Sequence, residues 1–385
     1  MDVLIHSGDV LLEHGFETRD LAIGGSEILL ESPAKGASSA AFDAKGCMIL
    51  PGIVDIHGDA FERQIMPRPG VSFPLDMALL DTDRQMAANG ITTAYLGVTW
   101  SWEPGLRGTE SARALITTLE AMRDRLAVDT RFHLRHETFN LEAEAEILFW
   151  LEEGRIGVLA FNDHMLSLVT AARESTGKIG RQAERCGLGE AEFKALIAQV
   201  YARKDEVPAS VERLAHAAKA KGVPLLSHDD RDLADRIHYR ALGSAIAEFP
   251  MQREVAAAAR AAGEAVVFGA PNVIRGGSHI GCPSAEAMVR EKLCTILASD
   301  YYYPALAQAP LRLETGGAAP FADAWALVST NPAKALGLAD RGVIAHGKRA
   351  DLVIARREPG RLEILATIAN GQIAYCNAAH RLQAA

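Results

Sequence analysis

Cysteine is scarce in this chain and does not pair. Five occur in 385 residues, Cys47, Cys186, Cys282, Cys294 and Cys376, scattered and without a CxxC. That usage argues against a disulfide framework or a structural zinc knot and suits a reducing compartment. Long apolar runs are also missing: none approaches the ~20 residues needed to cross a bilayer. The stretch from Met1 to Gly8 has no basic segment leading into a long apolar one, so no signal peptide is expected, and the expected location is the cytoplasm. Basic runs are absent as well. The net charge is -9, from 40 Lys and Arg against 49 Asp and Glu, and nucleic acid is therefore not an expected partner.

Familiar site motifs are missing or broken. Neither HExxH nor GxGxxG occurs. The run from Gly342 to Arg349 nearly matches a phosphate loop, but Arg349 stands where Ser or Thr must hold magnesium, and a strand follows rather than a helix. Around Ser278 a hydrolase elbow fails because Ile280 is not Gly.

What is present is a repeated alternation. Helical periodicity appears over residues 76–88, 110–126, 141–153, 211–220, 231–241, 253–262, 285–292 and 320–329. Apolar strand-like runs sit between, over 91–98, 132–139, 156–161, 223–227, 244–249, 265–269 and 295–299. With the opening run Ile53 to Ile56 this gives about eight strand-then-helix units, the number that closes a (β/α)₈ barrel. Both ends of the chain read instead as short strands with turn chemistry, including the Asn370-Gly371 hairpin signal. The expected architecture is thus α/β: a TIM-like barrel over 51–337 and a small β-sandwich from 1–50 plus 338–385. An insertion at about 165–206, helical in its second half, falls after a strand and so on the catalytic face, as a lid or an oligomer contact.

In such a barrel the C-terminal strand ends carry the chemistry. The first ends in His57 and Asp59, on one face because side chains two apart in a strand point the same way. The third ends His133-Leu-Arg135-His136-Glu137 and the fourth Asn162-Asp163-His164. Further ends are Ser227-His228-Asp229-Asp230, Ala247-Glu248-Phe249 and Ser299-Asp300. A lone His at a strand end is usually structural. Here imidazoles and carboxylates recur at the same end of successive strands, and crowded carboxylates are costly unless a cation lies between them. Divalent metal binding follows as the expectation.

These residues and motifs resemble the amidohydrolase superfamily. The likeness runs through Pro51-Gly-Ile-Val-Asp-Ile-His57 and through Gly347-Lys-Arg-Ala-Asp351 into a closing strand. More narrowly the chain is similar to the phosphonate-metabolism branch. That likeness rests on Pro67-Arg-Pro69, His133 to Glu137, Ser227 to Asp230, Ile246 to Pro250, Gly269-Ala-Pro-Asn272, Arg275-Gly-Gly-Ser-His279 and Ser299 to Pro304. The resemblance implies a pair of divalent cations, zinc first with manganese or iron as alternatives. They would sit among His57, Asp59, Glu137, His164, His228 and Asp300, with Glu137 bridging and Asp300 as proton acceptor. It implies a phosphorylated sugar as substrate: hydrolysis of a ribose 1-methylphosphonate 5-triphosphate to pyrophosphate and the 5-phosphate. Arg68, Arg275 and His279, with Arg135 as a further candidate, would offset the pyrophosphate charge, and Asp229 and Asp230 would bind ribose hydroxyls or orient His228. Two departures from the wider superfamily stand out. Asp59 replaces the second His of the first strand, and the usual carboxylated Lys is absent. His164 and His228 also fall on strands four and five, where five and six are usual. An amidohydrolase acting on carbon, of the amino-sugar deacetylase or deaminase type, is the competing reading. A non-catalytic barrel scaffold is the third. A homo-oligomer is compatible with all of them.

Overall fold

The first barrel strand, Ile53–Gly58, is buried at every residue. Only a parallel strand covered on both faces does this, and it is why the run reads as nearly continuous apolar sequence. The computed structural model describes residues 3–30, 40–68, 70–174, 177–278 and 281–384. His279 of the proposed phosphate-binding residues falls outside them. Eight parallel strands follow in chain order: Ile53–Gly58, Ile91–Trp100, Asp129–Glu137, Val158–Asn162, Leu225–His228, Ile246–Glu248, Ala265–Gly269 and Ile296–Ala298. The ring closes between the eighth and the first. Gly58 bridges Asp300 in parallel, the Asp300 amide donates to the His57 carbonyl at 2.9 Å, and the Asp59 amide donates to the Asp300 carbonyl at 2.9 Å. His228 therefore ends the fifth strand, and His164 lies just after the fourth.

Both termini build a second, nine-stranded sheet. Met48–Pro51 pairs there with Leu352–Glu358, Pro51 standing opposite Leu352. Gly52 then carries the chain from that sheet into the barrel. A Cβ at Gly52 would lie 2.3 Å from the Thr92 hydroxyl, so only glycine fits the crossing. Separate apolar clusters fill the sheet domain, around Ile5, Phe42, Ile49 and Ile354, and the layer between strands and helices, around Trp100, Trp150 and Trp325.

The helices outside the strands have ordinary local causes. Pro74 opens Leu75–Ala88 and Gly90, at φ 80°, ends the turn after it. Asp232 caps Leu233–Ala241, its side chain accepting from the amides of Ala234 and Asp235. Three helices depart from expectation: Ala270–Arg275, Pro304–Thr315 and Thr330–Ala335. Each contains proline near its start, and Pro304–Thr315 has Pro310 inside it as well, so the usual breaker hid the period. The insertion is helical in its first half too, as Met165–Glu174, Gly177–Arg185 and Glu190–Tyr201. These helices enclose their own small core around Leu168, Ile179, Phe193 and Ile197, against Trp102 and Phe139.

Candidate active site

A cavity of about 260 Å³ opens at the C-terminal end of the barrel. His57, Asp59, Arg135, His228, Asp229, Arg275 and Asp300 line it, together with Phe249, Asn272 and Tyr301. Residues anticipated from five different strands, or from the loops that follow them, thus meet in one place.

The deepest layer is imidazole and carboxylate. Glu248 is fully buried and accepts from both histidines: Nδ1 of His57 at 2.8 Å and Nδ1 of His228 at 2.6 Å. Burial opposes a charge on either ring. At His57 the Glu248 carboxylate outweighs it and the pKa rises; at His228 burial wins, aided by the charge of Arg135, and the pKa falls. A neutral His228 fits its other bond, because Nε2 accepts from Nη2 of Arg135 at 2.8 Å and a guanidinium can only donate. Glu248 stood at a strand end in the sequence but received no role there. Its signal was a single carboxylate in the apolar run Ile246-Ala247-Glu248-Phe249, which a buried strand tolerates only when something pairs with it. His133 was also passed over. It lies fully buried edge-on to His57, centroids 5.2 Å apart, its Nδ1 donating to the Ile56 carbonyl at 3.0 Å.

Above this layer lie two carboxylates. His57, Asp59 and Asp300 each present a ligand atom within 4.8 Å of the others. Burial first, and then the neighbouring Asp59, pushes the Asp300 carboxyl up to about 6. Two half-buried acids crowded against a buried imidazole suit a divalent cation, which relieves that repulsion. The backbone supports the arrangement: Asp300 and Asp229 hold left-handed conformations at φ 54° and 58°, turning their carboxylates inward straight after a strand.

Glu137 and His164 stand apart from this group. Their side chains bond to one another, His164 Nδ1 to Glu137 at 2.6 Å, and border a neighbouring cavity of about 150 Å³ under the insertion. The Glu137 charge, acting against burial, pushes His164 up to about 10. Burial would raise Glu137, yet His164 and then Arg135 hold it near 2. The pair meets the wall of the main cavity at Asp229, 3.5 Å from His164 Nε2, and at His228, whose ring lies edge-on to that of His164. The carboxylate between the two barrel histidines is Glu248, while Glu137, expected to bridge two cations, is hydrogen-bonded to His164.

Two further expectations meet different surroundings. Asp230 turns away from the cavity into a buried network, accepting from the Ser227 hydroxyl at 2.8 Å and from Arg236 at 3.2 Å. It anchors a helix and is not placed to reach ribose. Arg68 is exposed and does not line the cavity. Arg275 does line it, its guanidinium donating to the Tyr301 hydroxyl at 3.2 Å.

A parallel barrel with strand-end histidines and acids, closed by a sheet from both termini, narrows the possibilities, and comparison decides them. Residues 84–375 match the Amidohydrolase family. The chain belongs to that family. It is 31% identical, over 373 residues covering 94% of this chain and 97% of the other, to the alpha-D-ribose 1-methylphosphonate 5-triphosphate diphosphatase of Escherichia coli K12. That similarity places it in the phosphonate-metabolism branch and marks it as a hydrolase. Among solved structures it is similar to the beta-aspartyl dipeptidase of Fervidobacterium islandicum AW-1, at 14% identity and TM-score 0.63, covering 98% of this chain and 97% of that one. It is likewise similar to the dihydropyrimidinase of Brevibacillus agri NCHU1002, at 15% identity and TM-score 0.58, covering 98% of this chain and 95% of that one. These two likenesses speak for the amidohydrolase fold alone. No described helix is long and apolar enough to cross a membrane.

Proposed function

We propose that this amidohydrolase is a metal-dependent diphosphatase of phosphonate catabolism. It hydrolyses a ribose 1-methylphosphonate 5-triphosphate, or a close analogue, to pyrophosphate and the 5-phosphate. The observation that carries the reading is end-to-end similarity to a diphosphatase, combined with a cavity that Asp300 and two arginines line together.

His57, Asp59 and Asp300 would hold a divalent cation, zinc by donor type, with manganese or iron also accommodated. When bound, it supplies positive charge to a phosphoryl oxygen and acidity to a water molecule. Asp300, on the cavity wall, accepts the proton of the attacking water. A bond forms between the water oxygen and the α-phosphorus, and the bond from that phosphorus to the bridging oxygen breaks. The electron pair leaves with pyrophosphate. Arg135 and Arg275, both on the cavity wall, offset charge on the phosphoryl oxygens. Asp229, beside His164 on the cavity wall, can accept from a sugar hydroxyl.

A substrate panel tests this. The metal-loaded protein should turn over 5′-triphosphate esters of ribose with a kcat/KM at least a hundredfold above that for N-acetyl amino-sugar phosphates or cyclic amides. The reverse preference would assign the site to attack on carbon.

A further inference from the structure

Arg135 occupies an unusual place for an arginine. Its side chain is 8% exposed, at the heart of the cavity wall. Nη2 donates to His228 Nε2 at 2.8 Å, and Nη1 lies 3.4 Å from Asp59. Its charge also acts on Asp229 and Asp300, which line the cavity, and on Glu137 beside it. Asp59, Glu137, His228 and Asp300 are four of the six side chains among which two divalent cations were expected.

A second described group, His57, His228 and Glu248, also brings ligand atoms within 4.8 Å of one another, but hydrogen bonds already join its members. Both nitrogens of His228 are engaged, Nδ1 by Glu248 at 2.6 Å and Nε2 by Arg135. Two ligand atoms of one tetrahedral zinc, each at ~2.0–2.1 Å, stand about 3.3 Å apart. The contacts of Glu248 with His57 and His228, at 2.8 and 2.6 Å, are shorter and are hydrogen bonds, and so is the 2.6 Å contact of Glu137 with His164. Of the two described donor groups, His57, Asp59 and Asp300 is the one whose side chains are not hydrogen-bonded to one another.

We propose that the Arg135 guanidinium takes the place of the second metal, so that the chain binds a single divalent cation, at His57, Asp59 and Asp300. The inference rests on the metal reading of the site given above. A guanidinium remains charged at every working pH and presents a planar fork to phosphoryl oxygens. The site then keeps one fixed positive charge that no chelator removes, and a second that comes and goes with the metal.

Manganese is the probe. The full chain is stripped with chelator, reloaded with Mn²⁺, freed of excess and read by metal analysis and electron paramagnetic resonance. The wild type should hold one equivalent and show the six-line spectrum of an isolated Mn²⁺. Arg135→Ala, which frees His228 Nε2, should take up a second equivalent and show the broadened spectrum of a coupled pair. Two equivalents in the wild type would overturn the proposal while leaving the metal reading intact. An Arg135→Ala protein that folds, as judged by circular dichroism, yet stops at one equivalent would remove Arg135 as the occupant. Should that variant not fold, the wild-type stoichiometry and spectrum decide on their own. No bound manganese in either protein would overturn the metal reading itself.

Discussion

The rings of His57 and His228 stack at 5.5 Å with 18° between their planes, and both donate to the one carboxylate of Glu248. A first strand and a fifth strand are thereby fixed through the sixth. The carboxylate sets which nitrogen of each ring carries the proton, and so which is left to accept. Glu248→Gln keeps the shape but offers an amide in place of two acceptor oxygens. Cation affinity, measured by competition with a chromophoric chelator, should fall ~10–100-fold. An unchanged affinity would mean that Glu248 only fills space.

Asp300 lies against Asp59 and carries its raised pKa for that reason after burial. Asp300→Asn removes the proton acceptor while preserving volume and the left-handed turn, which asparagine tolerates. The expected loss in kcat is about 10²–10⁴-fold with an unaltered circular dichroism spectrum. Activity within a few-fold of wild type would exclude Asp300 as the base.

Gly58 sits on the seam where the barrel closes. A Cβ there would meet Asp55 Oδ2 and the Ser299 hydroxyl at 2.8 Å and the Tyr303 ring at 2.9 Å. Ser299 is also what satisfies the buried Asp55, donating to it at 2.5 Å. Gly58→Ala must push these groups apart, at a cost of about 1–3 kcal/mol. Its melting temperature should drop by several degrees, whereas Gly25→Ala, a change in open space at positive φ, should drop less. Equal effects would show that the seam is not tightly packed.

At the opposite end of the barrel, Asp129 accepts from Arg131 at 2.9 Å, Arg341 at 2.6 Å and Arg349 at 3.1 Å, tying the third strand to the C-terminal segment. Burial would raise its pKa; the arginines instead hold it down to about 2, against 3.8 ordinarily. A depressed acid stabilises the fold above its unfolded pKa, and that contribution is lost as pH falls from about 4 toward 2. Asp129→Asn should therefore cost about 2 kcal/mol at pH 7 in urea unfolding. The gap between the two proteins should narrow at pH 3. A gap independent of pH would show that the ionised form contributes nothing.

The barrel was legible because its strands are buried on both faces and its helices are not. Runs such as Ile91 to Val98 and periodic stretches such as 110–126 separate cleanly on that basis. Pro304–Thr315 was hidden because Pro310 lies within it. At the site, His57, Asp59, His228 and Asp300 could be picked out as polar ends of apolar strands, and the fold brings them together. Partnership could not be read the same way. Glu137 and Glu248 are both acids at strand ends, and only the closed ring shows that one faces His164 and the other lies between His57 and His228. Asp230 adjoins a cavity residue in sequence, yet Arg236, a turn and a half helix away, draws it into the wall.

Phosphorus NMR of a single reaction in ¹⁸O-labelled water tests most directly whether this cavity attacks the α-phosphorus of a triphosphate. Ribose 1-methylphosphonate 5-triphosphate and the metal-loaded protein should yield pyrophosphate free of label and a 5-phosphate carrying one ¹⁸O, seen as its isotope-shifted resonance. Label in the released pyrophosphate, release of orthophosphate alone, or no turnover with metal bound would contradict it.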